Sequence, residues 1–412
     1  MASGPAGAGR RAQPAWGVEI LPEEPRSDTD SPHEWAWPTG PGAASDVLQR
    51  LQTTLAAMTP APAADIGLSP ELHHALAPTG ALSMLLPSER GGAALTWAQS
   101  MSVIETLARI SGSLGWRVSQ IAQAHNVLSC FPESGQDAAL SGEVAALAGS
   151  VAPKGHIATD EDLTVTGQWP FVTGAPAARW VYLNCLEVKN RAIVRSPAGV
   201  PSTRMVLLPV SSVTLLDTWD VLGLRATDSW DVQCRAVHVE PGFTFTVDPD
   251  SPSDQAVVDK IARSGLLIAA CTIGIAAGAL DDLLDSVRGG KRRTFSTERL
   301  AVSPVVQHEL GERAAGLLVA RAGLAHVAEW NISSAADRTA LRACTSSAAA
   351  VARDCVEWAY RVVGGSAVYE GAPLQKRLRD ALTAAQHVVA GTSFYQPLGQ
   401  SMIDAKQDKD EA

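Results

Sequence analysis

Aromatic side chains and cysteines are scarce in this chain, and no strongly basic segment is present. Only 5% of the 412 residues are aromatic, and the six cysteines lie far apart with no CxxC pair. This spacing argues against a disulfide framework or a zinc site and is typical of reduced thiols in the cytosol. The net charge is -10, and the densest basic cluster is only three residues long, Lys291 to Arg293. Nucleic acid is therefore not expected as a main partner, because binding phosphates needs a concentrated basic surface.

Several familiar signatures are also missing. We find no GxGxxG motif, no nucleophile-base constellation and no histidines at metal-ligand spacing, so no metal site is predicted. Residues 1–26 have no apolar core, which argues against a secretory signal. One long apolar run, from Gly265 to Leu284, is rich in Gly and Ala and contains Asp281 and Asp282. We interpret it as a buried helix and expect no membrane association.

The hydrophobic pattern divides the chain into helical, strand-rich and again helical parts. Apolar residues recur at helical spacing near the start, as in Leu48, Leu51 and Leu55. Short alternating runs between about residues 144 and 247 predict strands, and the helical pattern then returns with paired glycines as stops. The predicted fold class is α+β, with a disordered leader (1–43), an N-terminal α-helical domain (44–140), a central antiparallel β domain (141–250), a C-terminal four-helix bundle (251–402) and a frayed tail (403–412).

The most informative segment runs from Gly364 to Asp380, with Gln386-His387 just beyond it. Its paired glycines predict a helix end, and Pro373 predicts the start of a new helix that continues to Gly391. Together with the order of helices, β domain and four-helix bundle, this segment resembles the C-terminal domain of the acyl-CoA dehydrogenase fold. The resemblance covers about residues 45–400 and implies that fold for the chain.

The resemblance also implies a flavin-binding strand. Residues 167–174, GQWPFVTG, are similar to the strand whose aromatic residue packs on the flavin ring and whose hydroxyl reaches the N5 edge. Trp169, Phe171 and Thr173 are therefore expected to contact the flavin. The turn at residues 217–229 resembles the family's W..lG.r.T.S segment, which we interpret as structural because its hydroxyls satisfy the backbone.

A second flavin motif is found later in the chain. Residues 292–295, RRTF, resemble the Arg-x-Thr-Phe motif that meets the diphosphate and adenine of FAD across a subunit boundary. Arg292 and Phe295 are expected to bind FAD, with Gln307 as the accompanying glutamine. The motif favours FAD over FMN, and both flavins stay open.

The expected reaction depends on a missing carboxylate. A dehydrogenase of this fold removes a proton next to a thioester carbonyl and needs a carboxylate base. The resemblance places Gly371 and Ser264 at the two base positions, with Glu370 beside the first. Residues 373–387 instead resemble the PLQR..RD..aaqH signature of the group D flavin-dependent monooxygenases. Those enzymes take reduced flavin from a separate reductase and use O2, through a C4a-hydroperoxide, to oxygenate an organic small molecule.

His387 is the implied catalytic residue of this signature. It follows Asp380 by seven residues, so on a continuous helix the two would share a face with Thr383. A histidine near C4a can donate a hydrogen bond to the hydroperoxide and hold its proton. A histidine among Ala and Val is commonly a core residue, and the matched signature is what favours the catalytic interpretation.

The same resemblance implies residues at the substrate. Ser150 lies in the segment 149–153, GSVAP, at the place of the first flavin-binding loop. Trp116 would form an aromatic wall. His125 and Ser150 would bind the substrate hydroxyl as it ionises, which makes both of them substrate-binding and catalytic residues; Thr173 is the remaining expected catalytic residue, through its control of N5.

The sequence therefore predicts a cytoplasmic flavin-dependent monooxygenase of specialised metabolism that acts on an aromatic or polycyclic small molecule. An acyl-CoA dehydrogenase acting on a CoA- or carrier-bound acyl group stays open, as does a non-catalytic member of the fold. The resemblance further implies a transient flavin reductase partner and a homotetramer.

Overall fold

The computed structural model describes residues 46–57, 65–142, 147–160, 162–197, 199–246, 254–292 and 297–410. The predicted leader lies outside these ranges, and so does Phe295 of the second flavin motif. Within them the chain forms helices, then strands, then helices, in the predicted order.

The N-terminal part is helical. α1 buries the predicted stripe that includes Leu51 and Leu55. α3 begins with a capping box, in which Thr96 and Gln99 each accept a hydrogen bond from the other's backbone N–H. α4 is buried along nearly its whole length, against α3, the later helix α7 and the sheet. The helices are α1 (Asp46–Ala56), α2 (Pro70–Leu76), α3 (Trp97–Ile110), α4 (Gly112–Leu128) and α5 (Glu133–Leu140).

The central part is one twisted sheet with the strand order β6-β7-β2-β1-β3-β5-β8, and β4 pairs with β3. Neighbouring strands are antiparallel except β1 and β3, which run parallel from Leu147 opposite Trp180 to Ala158 opposite Val188. The sheet is therefore mixed, and the prediction of a wholly antiparallel domain is wrong for this pair, because alternation shows which residues are buried but not which strands pair. The strands are β1 (Leu147–Ala158), β2 (Thr164–Thr173), β3 (Trp180–Lys189), β4 (Ala192–Ile193), β5 (Thr203–Pro209), β6 (Thr214–Leu216), β7 (Ser229–His238) and β8 (Thr244–Thr246).

The C-terminal part packs long helices around α7. Among the described residues, one helical stretch, Val257–Arg288, has the length and hydropathy of a membrane span, and 89% of its most apolar window is buried within the protein. Its contacts with α3 and the last helices account for that composition. The helices are α6 (Gln255–Arg263), α7 (Gly265–Arg288), α8 (Pro304–Ala328), α9 (Ala335–Val363), α10 (Pro373–Ala384) and α11 (Tyr395–Asp410).

α10 is shorter than predicted. It ends at Ala384, and residues 385–394, here called the post-α10 segment, form a series of turns. The prediction of one helix continuing to Gly391 is wrong, because tertiary contacts override the helix-forming residues at 385–387. One such contact is the Ser346 hydroxyl, which donates to the Val389 carbonyl at 3.0 Å. The predicted frayed tail begins inside α11, and the division into domains stays a prediction.

Candidate active site

A cavity of about 720 Å³ lies where α4, the sheet and the C-terminal helices meet. We call it the central cavity. Five of the residues predicted for the site line it, although they come from distant parts of the sequence. They are Trp116, Ser150, Phe171, Thr173 and His387.

Phe171 is presented to the central cavity by a β-bulge. The pairing of β2 with β7 shifts between Trp169 and Val172, and Phe171 has a φ of +63°. Its side chain is 69% exposed and lies edge-on to Trp219, with 6.1 Å between ring centroids. A bulge with an uncommon backbone conformation is a known way to redirect a side chain at a functional site. The result is an aromatic face open to the cavity.

The same bulge explains why Trp169 does not line the cavity. Its side chain is fully buried in the sheet, and its Nε1 donates to the Asn184 carbonyl at 2.7 Å. The resemblance of the strand segment placed both Trp169 and Phe171 at the flavin. The bulge breaks the alternation between them, so this placement of Trp169 is corrected.

Thr173 is the first hydroxyl of a directed chain. Its Oγ1 lies 2.8 Å from Ser229 Oγ, which lies 2.8 Å from Thr227 Oγ1. Thr227 donates to the Leu224 carbonyl at 2.8 Å. A carbonyl can only accept, and each hydroxyl has one proton. Ser229 must therefore donate to Thr227 and Thr173 to Ser229, which leaves Thr173 an acceptor towards the cavity.

The surroundings of His387 favour a neutral imidazole with its proton on Nε2. Burial lowers the pKa of His387 to about 4, so the imidazole is uncharged at neutral pH. The backbone N–H of Val389 donates to Nδ1 at 3.4 Å. A neutral imidazole that accepts at Nδ1 carries its proton on Nε2. His387 also lies edge-on to Trp116, with 5.5 Å between ring centroids.

α4 contributes one face to the cavity. Trp116, Gln120, Gln123 and Val127 line it at the spacing i, i+4, i+7 and i+11. His125 is nine residues from Trp116, which is two and a half turns, so it lies on the opposite face and is buried outside the cavity. The predicted substrate contact of His125 is therefore corrected. The two glutamines were missed, although the helical spacing from Trp116 indicates them.

Among the described residues, none that lines the central cavity is an Asp or Glu. Gly371 and the neighbouring Glu370 are exposed and lie outside it. Ser264 does line it, and its Oγ accepts from Asn126 Nδ2 at 3.3 Å. Ser150 lines it at an irregularity in β1, where the Ser150 Oγ accepts from the Ala152 N–H at 3.3 Å. Within the described ranges the cavity therefore offers hydroxyls and a histidine but no carboxylate base.

The charged residues of the α10 signature have structural partners. Asp380 is buried, accepts from the Leu224 N–H at 2.7 Å and lies 2.5 Å from Lys376 Nζ. Burial raises the pKa of Asp380, and the contact with Lys376 opposes that rise. Arg377 pairs with Asp282 at 3.0 Å. Asp380 does not line the cavity, so the predicted shared face with His387 is wrong.

Arg292, the one residue of the second flavin motif within the described ranges, lines another pocket of about 490 Å³ together with Arg313 and Arg361. Three guanidinium groups suit a phosphate-bearing ligand. Gln307 is exposed, and its Nε2 donates to the Ala301 carbonyl at 2.7 Å. The described residues place no element of this motif in the central cavity.

Comparison with known proteins agrees with this architecture. The chain is 26% identical over 350 residues to indole-3-acetate monooxygenase of Acinetobacter baumannii, an alignment covering 81% of this chain and 86% of that protein. It is 27% identical over 367 residues to the oxygenase component of FADH(2)-dependent resorcinol hydroxylase of Rhizobium sp., covering 80% and 86%. The crystal structure of 3-HSA hydroxylase from Rhodococcus sp. RHA1 superposes with a TM-score of 0.78 at 22% identity, covering 88% of this chain and 98% of that one.

The structural match confirms the predicted α+β fold of the acyl-CoA dehydrogenase type. Residues 266–391 match the family described as acyl-CoA dehydrogenase, C-terminal domain. With the helix–sheet–helix order and the α10 signature, these matches show that the chain is similar to the acyl-CoA dehydrogenase superfamily in its fold and in the sequence of its C-terminal part.

Proposed function

We propose that this protein is the oxygenase component of a two-component, flavin-dependent monooxygenase that acts on an aromatic small molecule. The predicted monooxygenase function is confirmed at the level of class, because the curated relatives are named as monooxygenases and hydroxylases. The observation that carries the proposal is the central cavity. It combines an open aromatic face, an acceptor hydroxyl and a neutral histidine donor, and no carboxylate lines it among the described residues.

The residues of the cavity fit a reduced flavin. Reduced flavin carries a proton at N5, which requires an acceptor, and the hydroxyl chain leaves Thr173 as one. Phe171 offers an exposed aromatic face for the ring system. Oxidised flavin has an acceptor at N5 and would face the acceptor of Thr173. These two residues would therefore hold the ring and favour its reduced form.

When bound, reduced flavin supplies the electrons that activate O2. The chain's own contribution is to bind, orient and protonate. His387 holds one proton on Nε2, in a position to donate a hydrogen bond to an oxygen atom in the cavity, and its low pKa keeps it from becoming a cation there. Trp116 fixes the imidazole edge-on and presents apolar surface to a planar substrate.

Ser150 and Arg292 are proposed in supporting roles. Ser150 lines the cavity and has a hydroxyl that can reach a polar substrate group. Arg292 and its neighbouring arginines would bind the phosphate end of a flavin, which would favour FAD without excluding FMN. Gln307 lies on α8, outside both pockets. A transient flavin reductase, a homotetrameric assembly and a cytoplasmic location complete the proposal.

Oxygen incorporation tests the proposal directly. The purified chain is mixed under 18O2 with chemically reduced FMN or FAD and a panel of aromatic compounds that includes indoles and phenols. We expect one 18O atom in a product, with no need for the reductase once reduced flavin is supplied. Incorporation from H2 18O instead, or bleaching of oxidised flavin by an acyl thioester, would contradict the proposal in favour of a hydratase-like reaction or a dehydrogenase.

A further inference from the structure

α9 carries two arginines one helical turn apart whose surroundings differ. Arg338 is paired, since its Nη1 donates to Gln255 at 2.7 Å and lies 3.2 Å from Asp259 Oδ1. The Arg342 guanidinium makes no hydrogen bond or ion pair with any residue in the described ranges. Its one ring contact is with Phe394, with 5.5 Å from Cζ to the ring centroid. Arg342 lines the central cavity, whereas Arg338 does not.

A half-buried cation without a counter-charge is unfavourable unless something compensates for it. Burial, and secondarily the Arg338 cation, lowers the pKa of Arg342. A guanidinium nevertheless stays protonated in proteins. The Phe394 ring stabilises the cation from one face only, which leaves the hydrogen-bonding edge of the guanidinium unused. That edge is suited to a planar anion with two oxygen atoms.

The positive charge of the side chains that line the cavity also favours an anionic ligand. Lys154 is the other charged residue among those described along its wall, and it is also a cation. Arg342 belongs to the helical wall, with Phe394 and the post-α10 segment, whereas Phe171 and Thr173 belong to the strand wall. A ligand that fills the space against the helical wall therefore meets an aromatic ring and an unpaired guanidinium together.

We propose that Arg342 binds a carboxylate of the substrate, so that this enzyme acts on aromatic carboxylates. This step rests on the proposed function, because it takes the strand wall as the flavin side. The competing source of an anion is the phosphate of the flavin itself.

Equilibrium binding tests the preference for a carboxylate without any turnover. Anaerobic calorimetry on the full chain compares each aromatic carboxylate with its uncharged amide, for indole-3-acetate, phenylacetate, benzoate and 1-naphthoate. We expect at least one carboxylate to bind ten- to a hundredfold more tightly than its amide, as is typical of a charge-assisted bidentate contact. If no carboxylate is preferred over its amide, the proposal is wrong.

Variants assign the preference to Arg342. Arg342→Met should reduce carboxylate affinity ten- to a hundredfold and leave amide affinity within threefold, and Arg342→Lys should retain part of the preference. Lys154→Met removes the cavity's exposed cation and should lower the carboxylate preference by less than threefold. An unchanged preference in Arg342→Met would overturn the assignment. If Arg342→Met shows no cooperative thermal unfolding transition, Arg342→Lys replaces it as the test. Losing only the bidentate geometry of the guanidinium should lower the carboxylate preference several-fold.

A flavin arm tests the competing source. FMN and riboflavin differ by one phosphate, and their affinity ratio should be the same in the wild type and in Arg342→Met. A ratio that falls tenfold would make Arg342 a flavin-phosphate ligand and overturn the proposal. Failure of the binding proposal and failure of the proposed function can be distinguished. If the carboxylate preference persists but no 18O is incorporated, the monooxygenase function is wrong and the binding site is not.

Discussion

α10 and the post-α10 segment belong to one sequence signature and have different tasks. The charged side chains of α10 bind the rest of the protein: Lys376 and Asp380 hold the turn before β7, and Arg377 holds α7. The post-α10 segment contributes His387 and Phe394 to the central cavity. The comparison teaches that the charged residues of one signature can stabilise the fold while the irregular segment beside them lines the cavity.

The two tasks are coupled through the hydroxyl chain. Asp380 accepts from the Leu224 N–H, and the Leu224 carbonyl accepts the last proton of the chain that starts at Thr173. α10 therefore supports both walls of the cavity, one through this turn and one through the segment that follows it. Substitutions in the two regions should separate stability from chemistry.

The largest effect is expected at Asp380. Asp380→Ala leaves the buried Lys376 with one carboxylate, Asp65 at 3.2 Å, and leaves the Leu224 N–H without its acceptor, which should lower the free energy of unfolding by about 3–4 kcal/mol. Urea unfolding measures it. Asp354→Ala removes a partner of the exposed Arg353 pair and should cost less than about 1 kcal/mol. Equal losses in the two variants would mean that α10 is not an anchor.

His387→Ala should affect chemistry instead. Removing one preorganised donor from a buried site costs about 2–4 kcal/mol of stabilisation, or about 10² to 10³ in the rate of product formation. Flavin binding and folding should persist, and hydrogen peroxide should be released in place of product. Quantifying product against peroxide per reduced flavin tests this, with His326→Ala on α8 as the control. Coupling retained within twofold would make His387 a core residue.

The pH dependence of stability also depends on His387. The unfolded histidine binds a proton below about pH 6.5, and the folded one does so only near pH 4. The contribution of His387 to the free energy of unfolding is therefore fully present above pH 6.5. It decreases by at most about 3 kcal/mol as the pH falls towards 4. Unfolding free energies of the wild type and His387→Gln between pH 7 and 4 should converge as the pH falls. Parallel curves would show that the imidazole is not buried in its neutral form.

Thr173 should discriminate between the redox forms of the flavin. Thr173→Val removes the acceptor and should weaken binding of reduced FMN about five- to tenfold, the typical effect of one hydrogen bond, with a smaller change for oxidised FMN. Thr173→Ser keeps the hydroxyl chain and should resemble the wild type. Anaerobic titration measures the affinity of each variant for reduced and for oxidised FMN. An equal loss of affinity for the two redox forms would contradict the assigned direction of the hydroxyl chain.

The smallest effect is expected at Glu370. This exposed residue lies outside the cavity, so Glu370→Gln should change product formation by less than twofold. No acyl thioester should bleach oxidised flavin in either protein, as stopped-flow absorbance can show. Bleaching that disappears in Glu370→Gln would identify a dehydrogenase base.

The sequence was sufficient for the fold and for five residues of the cavity, because those residues belong to motifs with fixed spacing. Trp169 and His125, which the resemblance placed at the ligands, do not line the cavity: a bulge interrupts the alternation of β2 after Trp169, and His125 lies nine residues, or two and a half helical turns, from Trp116. Arg342 belongs to no motif, and only the packing of α9 against the post-α10 segment brings it to the cavity. The end of α10 could not be predicted, because the helix ends at Ala384 and the next residues, Ala385 and Gln386, carry no stop signal.

The bulge at Phe171 sets stability and ligand binding against each other. A bulky residue at positive φ costs about 1–3 kcal/mol of backbone strain, whereas glycine adopts that conformation without it. A Phe171→Gly chain would therefore relieve the strain and at the same moment lose the only aromatic face that β2 offers to the cavity. Phe171 therefore lowers the stability of the fold at the position where the proposed flavin contact needs an aromatic ring.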